Sequence, residues 1–191
     1  MALRIVWFDQ LVRVADHPAL LAAASRGAVL PVFVWDPEDS GDRDDSSYGG
    51  ARRWWLHGAL EDLSETLQRL GSPLVIRQGA AADVLAELCQ ETGAQAVEAT
   101  RPLDPRRRRR LLAVQERLSP LPVTVHAGVT LFAPEQLRTQ EDHPYRVFTP
   151  FWKALRSLGD PELPHPAPWQ LVPPCAGRFR DAFEGAVPSS R

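Results

Sequence analysis

Short apolar runs alternate with segments of helical period along this chain, and that alternation restricts the fold more than any other feature. Leu3–Phe8, Ala28–Trp35, Leu74–Arg77, Ala96–Glu98 and Val123–Ala127 are the strand candidates. Most are continuous apolar runs rather than strict polar–apolar alternations, which is the pattern of strands buried on both faces of a parallel sheet. Helix candidates lie between them. Pro18–Arg26 opens with proline in a first-turn position behind Asp16 as a cap, and Gly27 is its stop. Arg52–Leu70 places Trp55, Leu56, Ala59, Leu60, Leu63 and Leu67 on one stripe before Gly71. Ala81–Thr92 and Pro105–Leu118 complete the set. The expectation is an α/β fold: a doubly wound, Rossmann-like, five-stranded parallel sheet with helices on both faces and right-handed crossovers.

Two stretches break the pattern. Asp36–Gly50, reading DPEDSGDRDDSSYGG, is acidic and rich in Gly and Ser, so a mobile loop is expected there. Beyond Gly159 comes PELPHPAPWQLVPPC, whose prolines exclude a regular helix and favour extended backbone. The organisation expected is therefore an α/β domain over residues 1–158 and a Pro-rich tail over 159–191 that wraps the domain surface. With 191 residues, 44% of them hydrophobic, the chain suffices for one such core.

Composition excludes several functions. No run approaches the roughly 20 apolar residues of a membrane span, and MALRIVWF enters a strand directly without a signal-peptide pattern. The two cysteines, Cys89 and Cys175, are too few for a disulfide framework, so a reduced, cytoplasmic setting is expected. His17, His57, His126, His143 and His165 show no repeated ligand spacing, so no metal site is expected. With 22 basic and 24 acidic residues the formal net charge is −2, which argues for weak or no DNA binding by this chain alone. The basic run Arg106–Arg110 spans every side of a helix, so it is read as a solvated or partner-facing helix end rather than a phosphate track. No Gly-rich phosphate loop follows the first strand and no Ser, His and Asp order suggests a nucleophilic triad, so no catalytic residues are assigned.

In a doubly wound sheet, ligands sit beyond the carboxyl ends of the strands where strand order reverses. The residues there are Phe8–Arg13, Trp35 and Asp36, Gln78 and Gly79, and Ala99–Asp104. They mix aromatic faces with Arg and Asp groups, as cofactor pockets do. The competing reading makes Phe33 and Trp35 plain core and Asp36 the cap of a turn before Pro37. Position alone leaves the two level.

Five blocks in register extend the reading. IVWFDQLVRVADHPAL (residues 5–20), PVFVWDP (31–37), ARRWWLHGALEDLSETLQRLGSPLVIR (51–77), LFAPEQL (131–137) and HPYRVFTPFWKAL (143–155) resemble the N-terminal α/β domain of the DNA photolyase and cryptochrome family. The last block resembles the hinge that leads from that domain toward a large helical FAD-binding domain, for which this chain has no counterpart before Arg191.

The resemblance implies an antenna-chromophore-binding domain related to light-dependent DNA repair or blue-light sensing. Such a domain holds a folate, a deazaflavin or a flavin and is not catalytic alone. FAD is not expected in this chain by itself, because the FAD pocket and lesion cavity of the photolyases belong to the helical domain. For the same reason photolyase cannot be told from cryptochrome here. The deazaflavin-type pocket corresponds to Phe33, Trp35, Asp36 and Arg52, with Arg101 and Asp104 in the loop after the fourth strand adding polar contacts. The expected partner is a flavin-bearing helical domain or protein, or a second copy of the chain. Departures from the family pattern favour an alternative, a ligand-free scaffold or docking protein. Asp9, Gln10 and Leu11 replace two arginines and an aspartate, and Ala99 and Thr100 replace an aromatic and an asparagine. Trp54 and Trp55 are expected to be helix packing, since the family's electron-transfer tryptophans lie in the helical domain. A patch around Phe148, Phe151 and Trp152 is expected to be covered by the tail or by a second copy.

Overall fold

The computed structural model describes residues 2–36, 50–128 and 130–174. Of the loop expected over Asp36–Gly50, residues 37–49 lie outside these residues, as do Cys175 and the rest of the tail, and Gly50 is the first residue of a helix rather than loop. β1 (Ala2–Phe8), β2 (Gly27–Trp35), β3 (Val75–Gln78), β4 (Ala96–Thr100) and β5 (Val123–His126) form one parallel sheet in the order β3-β2-β1-β4-β5. α1 (Pro18–Ala24) and α2 (Gly50–Arg69) pack on one face, α3 (Ala81–Thr92) and α4 (Pro105–Leu118) on the other. The doubly wound sheet read from the sequence is the sheet observed. Ile5, Trp7, Leu30, Val32 and Val34 point toward α3 and α4, while Val6, Phe8, Val29, Phe33 and Trp35 point toward α1 and α2. Both sides of β2, β4 and the second half of β1 are buried, which is why these runs are apolar without alternation, while the edge strand β5 is only half-buried.

Local chemistry sets the helix ends. Asp104 Oδ1 accepts the Arg106 and Arg107 amides at 2.7 and 3.2 Å, and Pro105 supplies the first turn of α4. Those backbone donors hold the Asp104 carboxyl below its ordinary value. α3 ends at Gly93, whose left-handed backbone (φ 69°) lets its amide reach the Cys89 carbonyl.

The start of α1 differs from the expectation. His17, not Asp16, is the cap: its Nδ1 accepts the Leu20 amide at 3.1 Å, and its ring sits 4.7 Å from that of Phe8. Asp16 instead turns at φ 50°, pairs with Arg13 and contacts the tail. α1 also stops at Ala24, before Gly27. Gly27 opens β2, where the carbonyl oxygen of Ala2 in β1 approaches too closely for any Cβ.

The buried cap carries a pH prediction. Burial lowers the His17 pKa from 6.5 to about 4. Between those values the unfolded chain binds a proton that the native chain refuses. Stability from this group is therefore complete above pH 6.5 and falls as pH drops toward 4, by about 3 kcal/mol in all. Urea midpoints at pH 7 and pH 4.5 should differ less for His17→Asn, which keeps a cap acceptor without the titration; an unchanged pH slope in the variant would refute the assignment.

Two further departures concern exposure. α2 buries Leu56, Leu60, Leu63 and Leu67, but Trp54 and Trp55 are 74% and 60% exposed. They are not core packing: one residue step turns about 100° around a helix, so the leucine stripe carries both tryptophans off the sheet. In addition, the block read as a hinge contains α5 (Phe148–Ser157), of whose 10 residues none is buried. The described part of the tail does lie on the domain. Leu171 is buried against the α2 face, its amide donates to Leu70 O, and the Val29 amide donates to Val172 O.

Candidate functional site

The chain runs from β1 outward through β2 to β3, then crosses to β4 on the other side of β1. Strand order thus reverses between β1 and β4. Beyond the carboxyl ends of β1, β2 and β4 lies a cleft of about 270 Å³ lined by Asp9, Phe33, Arg52, Trp55, Asp104 and Arg107, with Gln10, Val12 and Leu56 beside them. This is the place where an open α/β sheet forms its ligand crevice. Its walls offer aromatic faces from Phe33 and Trp55 and groups of both charges, enough to stack and orient one polar ring system.

Asp9 explains the electrostatics of the cleft. Its Oδ1 receives Arg107 Nη1 and, at 2.5 Å, Arg110 Nη2; all three side chains are largely buried. The Arg110 guanidinium also lies 5.3 Å from the centre of the Trp7 ring. Part of the arginine run is therefore structural. Arg107 and Arg110 turn inward, Arg108 Nε donates to Pro102 O, and Arg106 and Arg109 remain exposed. Asp9 in place of an arginine is matched by cations of its own domain.

The residues expected at a pigment site divide in two. Phe33, Arg52 and Asp104 line the cleft together, and Trp55, which the sequence reading placed in the core, joins them. Trp35 is buried beneath α2, and Asp36 Oδ2 accepts the Ala81 amide at 3.2 Å, at the start of α3. Both stand behind the cleft rather than in its lining. Arg101 points elsewhere and pairs with Glu135 at 3.2 Å. Ala99 and Thr100, placed by the sequence in a loop, are the buried last residues of β4.

A second charged cluster escaped the sequence reading. Glu98 is fully buried in β4; its Oε1 meets Arg4 Nη1 at 2.6 Å and Arg26 Nη1 at 3.4 Å, and its Oε2 meets His126 Nε2 at 2.6 Å. The available signal was one acid inside the apolar strand AVEAT, which requires a paired partner once buried. Among the described residues no group of His, Cys, Asp and Glu is arranged to hold a metal ion, and no helix is long and apolar enough to cross a membrane.

The DNA photolyase family profile matches residues 4–168. The chain belongs to the DNA photolyase family. This photolyase-family chain is 38% identical over 173 residues to the deoxyribodipyrimidine photo-lyase of Agrobacterium fabrum, covering 89% of this chain and 35% of that protein. It is 34% identical to cryptochrome-2 of Arabidopsis thaliana, over 88% of this chain and 28% of the relative. The crystal structure of a bacterial class III photolyase from Agrobacterium tumefaciens superposes with a TM-score of 0.84 at 35% identity, covering 95% of this chain and 37% of that one. The chain spans about a third of the length of these relatives, which include both photolyases and a cryptochrome.

Proposed function

We propose that residues 1–158 form an antenna-chromophore-binding domain, with residues 159–191 as a strap along its surface. The cleft at the strand-order reversal carries this reading, because it joins two aromatic walls to Arg52, Arg107 and Asp104. These residues fit the ring of a folate, a deazaflavin or a flavin. A cleft of about 270 Å³ matches a ring system better than a whole dinucleotide. When bound, such a pigment absorbs light and passes the excitation to a flavin held by a helical domain. Phe33 and Trp55 supply stacking surface, Arg52 and Asp104 orient polar edges, and Asp9 holds Arg107 in place. Trp35 and Asp36 support the wall from behind by packing under α2 and fixing the start of α3.

The test is titration of the purified chain with methenyltetrahydrofolate, a deazaflavin and FMN, followed by absorbance from about 300 to 500 nm, where pigments with extended π-systems of the kind that stack on aromatic rings are seen. Trp55→Ala should weaken binding of the preferred pigment by about tenfold, the value of one stacked ring. Failure of all three to bind, or equal binding by Trp55→Ala and Arg52→Ala, would remove the antenna reading. A second reading, a domain that docks a helical flavin-bearing partner, is favoured by one observation: α5 stands on the surface without a buried residue.

A further inference from the structure

Gly58 stands where a helix has least use for glycine. It lies inside the 20-residue α2 and is exposed, and a Cβ added there would meet no atom within 4 Å among the described residues. Glycine gives up the most backbone freedom on entering a helix, and nothing within this chain requires the missing side chain. One turn earlier on the same face is Trp54, 74% exposed. Leu56, Leu60, Leu63 and Leu67 take the opposite face into the core, so Ala51, Trp54 and Gly58 form an outward stripe, an aromatic knob beside a hole. A single exposed tryptophan is ordinary, and so is a single helix glycine. One turn apart on one face, they make a shape that fits a copy of itself.

Charge fixes the direction of the fit. Arg52 and Arg53 lie in the first turn of α2, whereas Glu61, Asp62 and Glu65 lie in its second half, all three exposed. Two α2 helices laid antiparallel about a two-fold axis at the level of Leu56 set each Trp54 against Gly58 of the other copy. The same register places Glu61 and Asp62 opposite Gly50 and Ala51, beside the arginines and the positive end of the other helix. A parallel arrangement would set acids against acids. The bare backbone at Gly58 lets the axes approach to about 8 Å, the close limit of helix packing.

We infer that the outward face of α2 is a two-fold interface between copies of this chain, with Trp54 as its anchor and Gly58 as the seat. The occupant is a second copy because one patch carries both knob and hole, and both signs of charge in the order a two-fold axis requires. The contact is one helix wide, so the dimer is weak and depends on concentration. Trp55, one residue further, turns to the cleft and takes no part, so this interface stands apart from pigment binding.

The experiment is sedimentation equilibrium of the full 191-residue chain from about 5 to about 500 µM, at about 50 and about 500 mM salt. A reversible monomer–dimer equilibrium is expected, weaker at the higher salt. Trp54→Ala should raise its Kd about 30-fold. Gly58→Gln should raise it as much by filling the seat, yet raise the urea midpoint of the chain at about 1 µM, where it is monomeric, because glutamine is the better helix former. A purely structural role for Gly58 would not separate association from stability in this way. Glu61→Gln with Asp62→Asn should weaken the low-salt dimer about threefold and leave the high-salt one unchanged. All these side chains are exposed, so the fold should survive each change, and the urea transition reports it. A chain that remains monomeric at about 500 µM overturns the inference, whatever covers Trp54 instead. A dimer that Trp54→Ala and Gly58→Gln leave intact assigns association to another face and overturns it equally.

Discussion

Glu98→Ala is expected to destabilise the domain by about 3–5 kcal/mol, among the largest losses any single substitution here should cause. The carboxylate is fully buried and meets Arg4, Arg26 and His126. Two of those partners, Arg4 and His126, are themselves mostly buried, so removing the acid strands the Arg4 guanidinium and leaves His126 Nε2 without its partner. Arg26 is half exposed and recovers hydration, so it adds little. Glu98→Gln keeps an acceptor for Arg4 and should lose less than half as much. Urea unfolding followed by tryptophan fluorescence separates the two variants; a loss below about 1 kcal/mol for alanine would mean that the cluster is hydrated and structurally idle.

Asp9→Ala should show an effect of similar kind at the cleft, with a loss of about 2–4 kcal/mol. Asp9 accepts from both Arg107 and Arg110, so the substitution removes one anion from between two largely buried cations. Arg110 keeps its contact with the Trp7 ring, which limits the loss on that side. The variant also makes the cleft more positive. A small aromatic anion such as an anilinonaphthalene sulfonate should therefore bind the folded variant several-fold more tightly than the parent, and more so at low salt. Unchanged stability together with unchanged anion binding would show that Asp9 does not govern the charge of the cleft. Asp9→Asn should fall between parent and alanine.

These two carboxylates also show where sequence reasoning stops. Asp9 was legible as an acid in place of an arginine, but not as the partner of α4, which lies 98 and 101 residues further along the chain. Glu98 stands as an odd charge in an apolar strand, a signal that went unread, and its partner Arg4 is 94 residues away. Phe33, Arg52 and Asp104 were assigned to a pigment site by the family resemblance, only Asp104 also lying in a segment beyond a strand end, and the structure brings the three to one cleft. Trp55 was missed because it adjoins a leucine stripe and was counted as part of it. Arg101 sits in the right loop, but Glu135 draws it aside.

Continuous apolar runs separated by helical periods determined the parallel sheet, its helices and, through five blocks in register, the family. Those signals are local: strand and helix periods act over a few residues and need no knowledge of what lies opposite. The tertiary structure alone decided that β4 lies beside β1, and therefore which distant charges meet, which aromatic residues wall the cleft and which face of α5 is left uncovered. Pairing and burial depend on the order in which strands assemble, and no residue carries that order in its own neighbourhood.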